Sequence, residues 1–293
     1  MVIINYFSPM QLISVNSGMF KLDGGAMFGV VPKKIWNKLI PADENNLCTW
    51  SMRNLVVIAS GKVVLIDCGM GTKQDEKFFS HYEPHGDFTL NSNLKENGIL
   101  PEDITDVFLT HLHFDHCGGA VKKDDRGKLI PAYPNARYWS NERHWNWATN
   151  PNSREKASFL KENFLPLQQH GVLHFIEEDE ELFPGFSTIW TYGHTEAMML
   201  PVIKFRDKTI VYCADLLPSY GHIPIPYVMG YDIRPLVSIK EKESFLKEAN
   251  DKKYILFFEH DAIHECCTLQ MTDKGIRPKE FYNLSEIPVT ALF

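Results

Sequence analysis

The chain has 293 residues, 44% hydrophobic and 23% charged, an ordinary globular composition with length enough for a substantial core. Its formal net charge of -7 excludes a global cationic footprint for nucleic acid or an anionic membrane surface. Apolar runs fall short of the roughly 18 residues of a membrane span, the first eighteen residues lack a leader's Lys and Arg, and six cysteines without CxxC spacing suit free, buried thiols, so the expectation is a cytoplasmic protein.

No repeat, low-complexity tract or linker composition divides the sequence, which predicts a single domain over 1–293. Met10 to Val15 and Met19 to Leu22, separated by Asn16, Ser17 and Gly18, predict a hairpin. Asp23-Gly24-Gly25-Ala26-Met27-Phe28-Gly29 reads as a tight, mobile turn displaying Met27 and Phe28, which either line a substrate pocket or join the core. Residues 53–69 give two β-rich runs around Ser60-Gly61, ending at Asp67 and Gly69; a carboxylate there belongs to a sheet rim or simply forms the turn. Leu90 and Leu94 with a terminal Gly98 predict a helix.

A strand over 105–109 then delivers Thr110-His111-Leu112-His113-Phe114-Asp115-His116-Cys117-Gly118-Gly119. Imidazole nitrogens with a carboxylate oxygen suit zinc, iron, cobalt or manganese, so His111, His113, Asp115 and His116 read as the core of a metal site. Lys122, Lys123, Arg126 and Lys128 follow, but Asp124 and Asp125 interrupt them, as in a solvated loop. Residues 137–170 are aromatic-rich, and Ser153, Lys156, Phe159, Leu160 and Phe164 have helical spacing. Trp145 and Trp147 fit pocket walls or core packing. Strands are predicted over 186–191, 199–205, 209–213 and 254–258, and a helix over 238–250 opening on a Ser238–Glu241 capping box. His194, Asp215 and His260 each sit where an apolar strand gives way to a loop. That regularity argues for one rim of a β-rich core.

The HxHxDH wording of residues 111–116, with Asp67-Cys68-Gly69, Gly193-His194-Thr195, Asp215 and His260 in order, resembles the metallo-β-lactamase superfamily over most of the chain. The resemblance implies an α/β, αββα four-layer sandwich: two mixed sheets with helices outside and metals at one edge. It implies that His111, His113 and His194 hold one divalent ion, zinc before iron, manganese or cobalt, and that Asp115, His116 and His260 hold a second. Asp215 bridges them, and Asp67 supports the ligand loop. A metal-bridged hydroxide then attacks the substrate, with Asp115 helping to position it or to handle the proton.

Within that superfamily the length, the motif and Ala214-Asp215-Leu216-Leu217-Pro218-Ser219-Tyr220-Gly221-His222 look similar to the N-acyl-homoserine lactonase and methyl-parathion-hydrolase-like group. This implies a small, largely apolar lactone or ester as partner, a quorum-quenching type of activity, and neither nucleic acid nor membrane; a homodimer is compatible with it. Where those lactonases place a Tyr supporting the substrate carbonyl, this chain has Pro218, so Tyr220 or His222 is the expected substitute, with structural hydrogen bonding the equal alternative for His222. Met27, Phe28, Trp145, Trp147, Tyr227 and Met229 are the expected apolar contacts. The alternatives are a phosphotriesterase or phosphodiesterase of the same fold, and a metal-binding sensor domain without significant turnover. His81, His85, His144, His170, His174 and His264 are read as non-ligands.

Overall fold

The structure, a computed structural model, describes residues 10–287; half of the N-terminal stretch read as lacking a leader lies outside them. The first half of the chain runs β1 (Gln11–Asp23), α1 (Gly24–Phe28), α2 (Lys33–Trp36), β2 (Leu47–Ala59), β3 (Lys62–Ile66), α3 (Glu76–Ser80), α4 (Leu90–Glu96), β4 (Asp106–Phe108) and α5 (Phe114–Cys117). There follow β5 (Val121–Lys123), β6 (Leu129–Pro131), β7 (Arg137–Ser140), α6 (Glu142–Thr149), α7 (Leu165–Gln169) and β8 (Leu173–Phe175). The last part comprises β9 (Phe186–Thr191), β10 (Met198–Phe205), β11 (Lys208–Tyr212), α8 (Pro235–Asp251), β12 (Ile255–Phe257), β13 (Cys266–Thr272) and β14 (Gly275–Tyr282). Two six-stranded mixed sheets result, ordered β1-β2-β3-β4-β7-β8 and β14-β13-β12-β11-β10-β9, with a small β5-β6 ribbon. The fold class is α/β.

The chain divides into two compact units: the described residues up to Gly18 with Met52–Leu182, and Met19–Ser51 with Phe183 onward. Neither is continuous in sequence, which is why no linker composition marks a boundary. In the first unit, β2 and β3 form a hairpin whose turn, Ser60 (φ 52) and Gly61 (φ 73), has two left-handed residues, as the twist of paired strands favours. Strands β3, β4, β7 and β8 then pair in parallel. Parallel neighbours all end at one edge, so the loops after β3 and β4 emerge side by side, and Asp67 N donates to Phe108 O at 2.9 Å. Val63, Leu65, Val107, Leu109, Tyr138 and Trp145 belong to the core beneath.

In the second unit β9, β10 and β11 are antiparallel neighbours, and β11 pairs with β12 in parallel. The same rule brings residues 213–215 and 258–260 out together, with Cys213 N donating to Phe257 O at 2.9 Å. β13 and β14 add a hairpin that no strong sequence signal announced.

Four local expectations are corrected. The hairpin over 10–22 is one continuous strand, β1, because Asn16 Oδ1 accepts from Gly18 N and Ser17 Oγ donates to Met52 O, absorbing the Asn-Ser-Gly as an irregularity within it. The turn expected to display Met27 and Phe28 is the short helix α1, its end capped by Asp23 accepting from Ala26 N, and both side chains are buried. Residues 153–158 form turns after Asn152, whose Oδ1 accepts from Arg154 N and Glu155 N, and Tyr138 and Trp139 lie in β7. α8 begins at Pro235, a residue that spares an unused N–H in the first turn, so Ser238 is inside the helix and Glu241 serves another loop. All six cysteines are free and buried, as their spacing suggested. Among the described residues no helix is long and apolar enough to cross a membrane.

Candidate metal centre

Asp67 follows β3 in a left-handed conformation (φ 56) and is fully buried. Its Oδ1 accepts from Thr110 N at 2.8 Å and its Oδ2 from Thr110 Oγ1 at 2.7 Å, while His116 Nδ1 lies 3.1 Å from Oδ2. Cys68 N donates to His116 O (2.7 Å) and Gly119 N to Gly69 O (2.9 Å), stitching the ligand turn to the loop after β3. Only glycine fits at 118, where a Cβ would stand 2.0 Å from Met70 O. Lys73, buried, donates to Gly118 O, and burial pushes its pKa down to about 8.

These contacts decide which imidazole nitrogen is left for a ligand. The Thr110 hydroxyl gives its proton to Asp67, so it accepts from His111 Nδ1 at 3.1 Å and leaves Nε2 with a lone pair. Asp67 likewise accepts from His116 Nδ1. The other atoms converge: His111 Nε2 lies 3.1 Å from His113 Nδ1, and His116 Nε2 lies 3.9 Å from Asp115 Oδ2. The Nε2 of His113 faces the buried carboxylate of Glu155 at 3.5 Å. His144 is buried too: its Nε2 accepts from Leu112 N at 2.8 Å, so this histidine braces the ligand loop.

The second unit repeats the logic. His194 Nδ1 lies 2.9 Å from Asp232 Oδ1 and its Nε2 3.1 Å from Asp215 Oδ2. His260 Nδ1 donates to Ser51 O at 2.7 Å, and its Nε2 lies 3.2 Å from Asp215 Oδ1. The two oxygens of Asp215 thus face two different imidazoles. The His194 loop is held from α8: Glu241 accepts from Tyr192 N (2.7 Å) and Gly193 N (3.0 Å). Arg234 joins Tyr192 O to Glu196. A Cβ on Gly193 would stand 2.4 Å from Ser238 N, so the loop and the helix start touch backbone to backbone.

The two residues expected to support the substrate carbonyl make hydrogen bonds within the protein. His222 is buried, its Nε2 donating to Met27 O (2.9 Å) and its Nδ1 accepting from Ser219 Oγ (2.8 Å), with the ring stacked on Phe28 at 4.6 Å. Burial pushes its pKa down to about 3. Both nitrogens are used, so His222 has no proton to offer a substrate. Tyr220 donates its hydroxyl to Leu39 O at 2.8 Å, and its N to Asp261 Oδ2. Met27 and Met229 are buried, and Phe28 stacks on Trp36 with Tyr227 edge-on at 6.3 Å. Trp145 belongs to the first unit's core, and Trp147 packs against that core with its indole N–H on Glu155.

Glu155 and Asp232 went unread in the sequence, Glu241 was read only as a helix cap, and His144 only as a non-ligand. Each lies far along the chain from the residue it serves, which is why neighbouring residues did not announce its role.

Comparison with known proteins gives one family and a consistent set of relatives. The model of the Metallo-beta-lactamase superfamily matches residues 48–260. An N-acyl homoserine lactonase of Bacillus cereus is 30% identical over 244 residues, covering 78% of this chain and 86% of that protein. A second, from Bacillus sp, is 30% identical over 179 residues, and this match spans 62% of its length. Among solved structures, a probable metal-dependent hydrolase from Staphylococcus aureus superposes with a TM-score of 0.84 at 27% identity, covering 93% of this chain and 96% of that one. AidC, a dizinc quorum-quenching lactonase in complex with a product, superposes with a TM-score of 0.76 at 21% identity, covering 94% and 96%.

Proposed function

Since the chain belongs to the metallo-β-lactamase superfamily and is a metal-dependent hydrolase, we propose that it opens small, largely apolar lactones, or the related esters, at a centre of two divalent ions, with zinc the ion of choice. The observation that carries the reading is the anchoring of the ligand histidines. One ring nitrogen of each faces a protein group, and the other lies 3.1 to 3.9 Å from a second candidate ligand atom. Such a donor set is electron-rich and buried, which suits a cation. In this reading His111, His113 and His194 serve one ion, Asp115, His116 and His260 the other, and Asp215 both. Ions held this way supply an activated water and polarise the substrate's carbonyl oxygen.

The chain's own contribution is orientation and proton handling. Asp67, Asp232 and Ser51 O keep His116, His194 and His260 in the tautomer whose Nε2 carries the lone pair. Asp115, at the start of α5 and slightly exposed, is the group we assign to carry the proton from the attacking water to the leaving oxygen. The relatives named as N-acyl homoserine lactonases support the substrate class. With Pro218 in place of the tyrosine and Tyr220 and His222 already engaged, carbonyl support falls to the ions, which favours a tolerant site open to esters as well as lactones.

The test is turnover by zinc-loaded protein on acyl-homoserine lactones of increasing chain length, aryl esters, methyl parathion and bis-p-nitrophenyl phosphate. Lactone or aryl-ester hydrolysis at least about 10-fold above the phosphorus substrates is expected, roughly 1.4 kcal/mol of transition-state preference. Faster phosphotriester or phosphodiester cleavage would replace the substrate assignment. Tight binding of a lactone without turnover would replace the enzyme with a sensor.

A further inference from the structure

We infer that Lys242 is a positioning residue: its ammonium fills a cradle of three peptide carbonyls, as a bound cation would, and so holds the loop that presents Tyr227 to an apolar substrate. The substrate part rests on the proposed hydrolase reading, but the first measurements need neither ion nor substrate.

The buried stripe of α8 runs Ser238, Lys242, Phe245, Leu246 and Ala249, so a lysine stands where the helix otherwise turns small or apolar side chains inward. It is 1% exposed. Its Nζ donates to Tyr227 O at 2.8 Å, Pro224 O at 3.1 Å and Ile225 O at 3.3 Å. An ammonium has three donors and no acceptor, and here each donor meets one carbonyl. The loop's own sequence creates the need. Pro224 and Pro226 bring no N–H, so the segment has more acceptors than donors. Tyr227 N and Val228 N answer Pro224 O and Pro226 O at 3.0 and 3.1 Å. Lys242 serves Ile225 O and Tyr227 O and adds a second bond to Pro224 O. Burial pushes its pKa down to about 7, while the charge of Asp232 opposes the shift.

Packing carries this hold towards the ligands of the second unit. Tyr227, half-buried, lies edge-on to Phe28 at 6.3 Å, and Phe28 stacks on His222, on which the charges of Asp215 and His260 act. Gly230 N donates to Ala26 O at 2.7 Å, and a Cβ on Gly29 would stand 2.4 Å from Val228 O, so the loop and α1 lie backbone to backbone. The loop is thus pinned at His222 and Gly230, and Lys242 pins the span between them. Without Lys242 that span moves, and Tyr227 moves with it. The His194 loop keeps its own anchors in Glu241, Arg234 and Asp232.

Lys242→Met keeps the apolar stem and removes all three donors, whereas Lys242→Ala deletes Cγ, Cδ, Cε and Nζ, the heavy atoms of n-propylammonium. At pH 6, 15N spectra of lysine-labelled wild type should show the Lys242 ammonium, identified by its through-space contacts to Pro224 and Tyr227, exchanging at least about 10-fold more slowly than surface ammonium groups. In K242M, hydrogen exchange over 223–230 should quicken at least about 10-fold, with β9 to β12 unmoved. KM for a long-chain acyl-homoserine lactone should rise about 10-fold with kcat within about 2-fold, the signature of a lost binding wall. In K242A, n-propylammonium should restore exchange protection and KM, whereas 1-propanol, which lacks the charge, and tetramethylammonium, which lacks donors, should not. A wild-type Lys242 ammonium that exchanges like the surface ones overturns the inference whether or not a variant folds. Unchanged loop exchange in K242M overturns it too, as does equal rescue by 1-propanol, which would make Lys242 a filler of space. A released loop with unchanged KM overturns the substrate role. If exchange and rescue behave as expected and the wild type hydrolyses no substrate, the hydrolase reading fails while the hold of Lys242 on the loop stands.

Discussion

Because His222 sits neutral in a closed environment, replacing it should flatten the acid limb of the protein's stability. Its ring is buried, stacked on Phe28, and hydrogen-bonded through Nε2–H to Met27 O and through Nδ1 to Ser219. Desolvation is the largest influence on it and depresses its pKa from 6.5 to about 3. Between those values the unfolded chain binds a proton that the folded chain refuses, so stability rises with pH across the window and is lost as pH falls from 6.5 towards 3. At about 1.36 kcal/mol per pH unit, acidification to pH 4 removes roughly 3 kcal/mol through this one residue. His222→Gln keeps an N–H able to reach Met27 O but cannot titrate. Urea unfolding of wild type and H222Q, both free of metal, should show the wild type ahead at pH 7 and its lead shrinking by about 3 kcal/mol by pH 4. Parallel pH profiles would refute the reasoning, because they would mean that His222 is hydrated and titrates normally, as a substrate-facing histidine would.

Asp67→Asn places an amide where two donors and a hydroxyl converge, and either orientation sets N–H against N–H. Zinc affinity should fall about 10- to 100-fold by chelator competition, whereas Asp67→Ala should in addition cost about 3–5 kcal/mol in urea unfolding by orphaning buried partners. Asp232→Ala leaves the Nδ1–H of His194 without its 2.9 Å acceptor and should weaken zinc binding similarly, while Asp232→Asn, which can still present a carbonyl oxygen, should weaken it less. Gly118→Ala drives a Cβ to 2.0 Å from Met70 O, a backbone atom that cannot turn aside, so a loss of about 1–3 kcal/mol or more is expected in the urea midpoint. Zinc itself should act as a folding ligand: at free zinc 100-fold above the dissociation constant each site should add about 2.7 kcal/mol, reversed by chelation and read as a shift in melting temperature.

The sequence alone determined the elements whose signals are local. Periodicity located β3, β9, β10, β11 and α4 to within a residue or two, Ser60-Gly61 marked a hairpin, and the dense donors of 111–116 together with Asp67, His194, Asp215 and His260 at strand ends named the candidate ligands. Those are properties of neighbouring residues, and neighbours are what a sequence displays. Local chemistry misled where a longer-range partner was stronger. Asn16-Ser17-Gly18 looks like a turn, yet Met52 O holds Ser17 within a strand. Ser238-x-x-Glu241 looks like a cap, yet Glu241 is drawn to the peptide N–H groups of Tyr192 and Gly193. Only the tertiary structure decided which groups the ring nitrogens face, because Glu155 lies 42 residues beyond His113 and Asp232 lies 38 beyond His194. It also placed His222 and Tyr220 in hydrogen bonds to Met27 O and Leu39 O, neighbours that packing supplies and no spacing in the chain announces.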